Sequence, residues 1–106
     1  MKLNQIDNEY TLLKLLKDNP EMTQRQLSKE LGLSLGKTNY LIRALTDKGW
    51  VKLTNFRRSN NKIGYLYVIT PKGITEKGIL AKNFLERKSA EYFKLKNEIE
   101  ILKKEL

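Results

Sequence analysis

Residues 23–49 run Thr23-Gln24-Arg25-Gln26-Leu27-Ser28-Lys29-Glu30-Leu31-Gly32-Leu33-Ser34-Leu35-Gly36-Lys37-Thr38-Asn39-Tyr40-Leu41-Ile42-Arg43-Ala44-Leu45-Thr46-Asp47-Lys48-Gly49 and spell two helices joined by a tight turn. Thr23 and Gln26 fit a capping box, in which a hydroxyl and a side-chain amide each serve a backbone group that the first helical turn leaves free. The helix that follows buries Leu27 and Leu31 and stops at Gly32, a natural left-handed cap. Ser34 is placed to cap the next helix, which continues to Lys48 and ends at Gly49. On that helix Thr38, Leu41, Ile42 and Leu45 share the inner face, leaving Gly36, Lys37, Asn39, Tyr40 and Arg43 outward. Two helices about Gly32-Leu33-Ser34 have the geometry that many DNA-binding proteins use, and that many plain helical hairpins share.

Upstream, Ile6, Tyr10, Leu13 and Leu16 recur at helical spacing and predict a first helix from about Gln5 to Lys17, closed by Asp18-Asn19-Pro20. Downstream, 50–56 and 65–70 read as strands, and Ser59-Asn60-Asn61-Lys62 reads as their turn because asparagine tolerates positive φ. A two-residue Asn60-Asn61 loop would set Leu53 opposite Val68 and Phe56 opposite Tyr65, gathering Val51, Leu53, Leu66 and Val68 on one face. The tip of this hairpin carries Arg57, Arg58 and Lys62, and a basic hairpin directly after such a helix pair is a wing. Thr70-Pro71 restarts a helix that runs to the carboxyl terminus, its opening weakened by Gly73 and Gly78. The expected fold is mainly α with a small β-hairpin: a unit over 1–73 and a long helix over 74–106.

The chain has 106 residues, enough for one modest core, with 40% apolar residues and a net charge of +9. Such a balance points to an anionic partner, nucleic acid or a membrane surface. The charge is concentrated: residues 31–72 hold Lys37, Arg43, Lys48, Lys52, Arg57, Arg58, Lys62 and Lys72 against Asp47 as their one acid. With neither cysteine nor histidine, disulfides, thiol chemistry, a structural zinc site and a Ser-His-Asp triad are excluded. Ser34-x-x-Lys37 has the spacing of a serine–lysine dyad but no oxyanion hole or carboxylate beside it, so no enzymatic activity is expected, and no cofactor or metal. The longest wholly apolar run, Tyr65–Ile69, is far short of the roughly 20 residues that span a bilayer, and the start of the chain lacks a signal-peptide core. A soluble, cytoplasmic protein is expected.

The order helix, helix, turn, helix, hairpin, Thr-Pro-Lys-Gly-helix resembles the MarR-type winged-helix transcription factors. The likeness is carried by Gln26–Ser34, by Leu45-Thr46-Asp47-Lys48-Gly49-Trp50-Val51 and by Ile69-Thr70-Pro71-Lys72-Gly73. Within that superfamily the chain is most similar to short exopolysaccharide (EPS)-associated regulators, through Ser34-Leu35-Gly36-Lys37, Lys48–Lys52, Asn55-Phe56-Arg57 and Ala90-Glu91-Tyr92. The resemblance implies a sequence-specific regulator that binds double-stranded DNA as a homodimer on an inverted-repeat operator. MarR wings typically carry Asp-x-Arg, whereas this tip is Arg57-Arg58-Ser59-Asn60-Asn61-Lys62 with no aspartate. The chain is also shorter than typical MarR proteins, and no ligand pocket is carried over.

On this reading Lys37 and Arg43 reach phosphates or guanine, Asn39 pairs with an adenine edge, and Gly36 lets the backbone approach. Tyr40 meets a phosphate or a thymine methyl. Ser34, Thr23 and Gln24 sit at helix amino termini, where phosphate can bind or simple capping suffices. Asn60, Asn61 and Lys62 belong to the wing with Arg57 and Arg58. Those two arginines are strand neighbours pointing to opposite faces, so at most one enters the minor groove. The alternative is a protein-interaction or RNA-binding winged helix, with Tyr65 and Tyr67 stacking bases rather than packing on the first helix.

The last helix repeats apolar residues at Leu85, Tyr92, Leu95, Ile99, Leu102 and Leu106, with Lys88 interrupting. Tyr92, Ile99 and Leu106 at a and Leu95 and Leu102 at d favour two parallel strands. Glu91 and Glu98 then fall at g, facing Lys96 and Lys103 at e of the partner helix. The competing expectation is that the stripe folds back on its own domain. The first helix is expected to help bury the dimer core.

Overall fold

Each of the second, third and last helices begins on a side chain that serves the backbone. The structure, a computed structural model, describes residues 5–57 and 63–106, with side chains at 7–55 and 66–106. The elements are α1 (Gln5–Asp18), α2 (Gln24–Leu31), α3 (Leu35–Asp47), β1 (Val51–Arg57), β2 (Ile63–Ile69) and α4 (Pro71–Lys104). Thr23 and Gln26 close the capping box at α2, and the amide of Lys37 donates to Ser34 Oγ at 3.1 Å at the start of α3. Gly32 ends α2 at φ 68°, a left-handed conformation in which a β-carbon would be strained.

The core lies where the first three helices, the base of the hairpin and the start of α4 meet. Leu12, Leu13 and Leu16 of α1 are buried with Leu27, Leu31, Leu41, Ile42, Leu45, Val51 and Leu80. Leu12 is an addition to the sequence expectation: α1 contacts α2 and α3 as well as β2 and α4, so its apolar stripe is wider than one face. The expected contribution of Ile6 lies outside the described side chains. Leu12, Leu13 and Leu16 of α1 are buried within their own chain.

Two acids of α1 anchor distant segments. Glu9, 4% exposed, accepts from Lys48 Nζ at 2.7 Å, and Lys48 also lies 4.6 Å over the Trp50 ring. Buried Asp7 pairs with Arg87 of α4.

The hairpin register differs from the expected one by a single residue. Val51 pairs with Ile69 and Leu53 with Tyr67, so Lys52 and not Leu53 stands opposite Val68, and Phe56 opposes Gly64 rather than Tyr65. A one-residue slip turns every side chain of one strand to the other face. Val51, Leu53, Tyr67 and Ile69 therefore share one face, of which Val51, Tyr67 and Ile69 reach the core while Leu53 stays exposed, and Val68 is exposed on the other face. The pairing of Arg57 with Ile63 is not the register that a two-residue Asn60-Asn61 loop would set; the expected turn at 59–62 lies outside the described residues. A tertiary contact accompanies this register: the Tyr67 amide donates to the Pro20 carbonyl at 3.2 Å, while the Thr70 amide continues the ladder to Trp50 O at 3.0 Å.

Gly73 is more than the weak point the sequence suggests. A β-carbon there would enter the Trp50 carbonyl oxygen and lie 2.8 Å from Ile69 Cγ2. Absence of a side chain lets the first turn of α4 sit on the start of β1. Thr70 completes the junction: its hydroxyl donates to Gly49 O at 2.6 Å and accepts from the Gly73 amide at 3.0 Å.

α4 is one continuous helix of 34 residues, about 51 Å long at 1.5 Å per residue. Its first part packs on α1 through Leu80, through Phe84 against Tyr10 (ring centroids 5.3 Å apart) and through Arg87. From 90 onward every residue is exposed, which overturns the fold-back expectation. The longest dimension is accordingly 67 Å and the radius of gyration 18.0 Å, against about 13 Å for a compact chain of this length.

Candidate nucleic-acid interface

α3 owes its position to what it buries. Thr38, Leu41, Ile42 and Leu45 are buried, and the Thr38 hydroxyl donates to Ser34 O at 2.9 Å, so no polar atom on that face is stranded. The opposite face is open. Gly36, Lys37 and Arg43 are exposed, and Tyr40 is 67% exposed. No acidic residue lies between Ser34 and Thr46, so this face is electropositive. Leu35 is exposed too, although 35, 38, 42 and 45 share one helical face by spacing.

Asn39 sits at the edge, half-buried. Its Nδ2 donates to Gln24 Oε1 at 3.2 Å, while Gln24 Nε2 donates to the Tyr67 hydroxyl at 3.1 Å. The Gln24 carboxamide is thus turned into the space between α3 and the hairpin and not out from the α2 terminus. Thr23 is exposed but its backbone amide already donates to Gln26 Oε1 at 2.8 Å, and its hydroxyl accepts from the Gln26 amide at 3.2 Å. Tyr67 is occupied by Gln24 and packs on the core.

Of the mid-chain bases, Lys48 is held by Glu9 on the α1 side, whereas Lys37, Arg43, Lys52 and Lys72 are exposed. Arg57 closes β1, its side chain outside those described, and Arg58, Asn60, Asn61 and Lys62 lie outside the described residues, as does the Tyr65 side chain.

Residues 7–52 match the family described as winged helix-turn-helix DNA-binding. The fold is a winged helix-turn-helix. Staphylococcus aureus MarR, solved with salicylate and kanamycin, has TM-score 0.60 at 15% identity, over 81% of this chain and 56% of its own. A MarR protein from Peptoclostridium difficile has TM-score 0.59 at 21% identity, over 79% and 52%. Lactococcus lactis ZitR, a zinc-responsive MarR family member, has TM-score 0.61 at 19% identity, over 90% and 62%. The chain spans just over half the length of the first two, and at such identities the likeness is one of fold. No curated protein matches the sequence.

The winged helix leaves the second half of α4 uncovered. Leu85, Tyr92, Leu95, Ile99 and Leu102 are exposed, Tyr92 by 59% and Leu102 by 60%. Leu106 follows the helix cap at Glu105, so the helical part of the stripe ends at Leu102. Lys88, at the seam position between Leu85 and Tyr92, bends along its own helix to Glu91, 3.3 Å away, and lies 5.3 Å over Phe84. No described helix is long and apolar enough to cross a membrane, and no cluster of acids among the described residues has the makings of a metal site.

Proposed function

We propose that this chain is a MarR-type transcriptional regulator that binds double-stranded DNA in the cytoplasm by inserting α3 into the major groove. The observation that carries the reading is the outer face of α3, where exposed Lys37, Tyr40 and Arg43 flank Asn39 without an acid. Lys37 and Arg43 neutralise phosphates or bind guanine, and Asn39 meets an adenine edge. Tyr40 contacts phosphate or a thymine methyl, and Leu35 adds an apolar contact of the second kind. Gly36 brings the backbone near the groove, while Ser34 and Thr23 lie beside the phosphates at their helix termini. The wing cations Arg57, Arg58 and Lys62, with Asn60 and Asn61, follow the adjacent backbone and minor groove.

A homodimer completes the reading. Tyr92, Ile99, Leu95 and Leu102 form the seam of a parallel coiled coil, with Glu91 facing the partner's Lys96 and Glu98 the partner's Lys103. Leu85 begins the stripe and Leu106 closes it beyond the last helical turn. Two domains joined in this way present their α3 helices about 34 Å apart, one DNA turn, and so read an inverted repeat. Resemblance to the EPS-associated regulators extends the proposal to operators of exopolysaccharide genes. The effectors of the solved relatives are not transferred; this chain has no histidine or cysteine with which to answer zinc in the usual way. The single-strand-stacking alternative is disfavoured, because the Tyr67 hydroxyl and ring are already engaged.

Selection of binding sites from random duplex DNA tests the proposal. Enrichment of a palindrome with half-sites about 10 base pairs apart is expected. Equal recovery of all duplexes, or preference for single strands in competition at fixed salt, overturns it.

A further inference from the structure

An asparagine carboxamide has one acceptor oxygen and two N–H donors, and rotation by half a turn exchanges them. At an exposed position both orientations are available, and the side chain reads no base strongly. Asn39 is not in that situation. One of its N–H groups is given to Gln24 Oε1 at 3.2 Å. What remains free is one N–H and the oxygen, the donor and acceptor that match N7 and N6–H of adenine in the major groove. The reversed amide would aim its oxygen at Gln24 Oε1, acceptor against acceptor.

The block holds only if Gln24 is itself held. Its Nε2 donates to the Tyr67 hydroxyl at 3.1 Å, and Tyr67 is fixed at both ends: its ring packs on the core and its amide donates to Pro20 O. The relay therefore runs from Asn39 on α3 through Gln24 on α2 to Tyr67 on β2, and the Asn39 amide reverses only if the Gln24 amide turns with it and the Tyr67 hydroxyl swings from acceptor to donor. Through it the outer edge of α3 is tied to the hairpin.

We propose that Gln24 is a positioning residue that holds the Asn39 carboxamide in its adenine-reading orientation, through the Gln24–Tyr67 bond, and contacts no base itself. The inference rests on α3 entering the major groove. It changes the expected role of Gln24 from a phosphate ligand at a helix terminus to the element that sets the specificity of its neighbour.

The test uses the full chain and the selected operator, with adenine replaced by guanine at the position whose preference Asn39→Ala abolishes. Gln24→Met keeps the side-chain length and removes both hydrogen bonds. It should lower the adenine-over-guanine affinity ratio on the order of tenfold and leave random-duplex affinity unchanged. Gln24→Glu keeps an acceptor toward Asn39. It should preserve the ratio while weakening all duplexes alike through its negative charge. The proposal is overturned if Gln24→Met keeps the wild-type ratio, if it weakens operator and random duplex equally, or if Gln24→Glu loses the ratio as fully as Gln24→Met.

Side-chain amide NMR of the DNA-free protein separates this failure from that of the interface. The Asn39 amide protons should be slow to exchange in the wild type and released in Gln24→Met. If they behave so but the wild type has no duplex preference, the interface reading has failed and the specificity role with it. If the preference exists and the amide signals do not respond to Gln24→Met, the interface stands and the relay is overturned.

Discussion

The carbonyl oxygen of Trp50 occupies the space that a β-carbon on Gly73 would need. That oxygen also accepts the Thr70 amide at 3.0 Å, so the contact fixes where the wing ends and α4 begins. Backbone cannot yield there as a flexible side chain would. Gly73→Ala should destabilise the fold by about 1–3 kcal/mol. Gly78, in the same helix, has open space where its β-carbon would stand, with nothing within 4 Å. Gly78→Ala should stabilise by about 0.5–1 kcal/mol. Urea unfolding of the two variants checks the contrast, and equal shifts in one direction would refute the close-approach account.

Lys48 neutralises a carboxylate that is almost wholly buried, Glu9. Lys48→Ala should cost about 1–3 kcal/mol, because it leaves Glu9 without its charged donor. Adding Glu9→Ala removes the stranded charge as well. The double variant should therefore lose less than the two single losses combined, measured in a thermodynamic cycle. Strict additivity would show that the pair is not coupled.

Asn39→Ala should weaken the best operator by roughly 1–3 kcal/mol and hardly alter binding to random duplex, since base contacts specify and phosphate contacts position. Titrations on both DNAs read this directly. Equal losses would mean that Asn39 reads no base.

Binding should fall steeply with salt, with a log–log slope of about −0.9 for each phosphate neutralised. Neutralising Arg57, Arg58 and Lys62 together should flatten that slope. An unchanged slope removes the wing from the interface.

Leu95→Lys with Leu102→Lys should convert the proposed dimer to monomer in sedimentation. Both side chains are exposed on the free half of α4, so the substitution has no folded neighbour to disturb in the single chain. A variant as dimeric as the wild type would place the interface elsewhere.

Much of the architecture is legible in residues a few positions apart. Thr23 with Gln26, Ser34 with Lys37 and Thr70 with Gly73 are bonds across one helical turn, and the left-handed stop at Gly32 is equally local. Local chemistry of this kind depends little on the remainder of the chain, which is why the starts of α2, α3 and α4 and the end of α2 stand where the sequence places them. The inner face of α3 is equally plain, since its period is set by helix geometry.

The hairpin register is not available in this way. Tyr65–Ile69 is apolar at every position and carries no alternation to say which side faces inward. The choice falls to contact from outside the hairpin, with Pro20 accepting the amide of Tyr67. The roles of Gln24, which reaches Tyr67 43 positions away, and of Gly73, which meets Trp50, have the same origin. By itself the sequence determined the helix ends, the charge asymmetry and the apolar stripe of α4, because each depends on neighbouring residues or on composition. Tertiary structure alone decided the register, the amide relay and the close approach at Gly73, because each joins segments whose proximity exists only after the chain has folded.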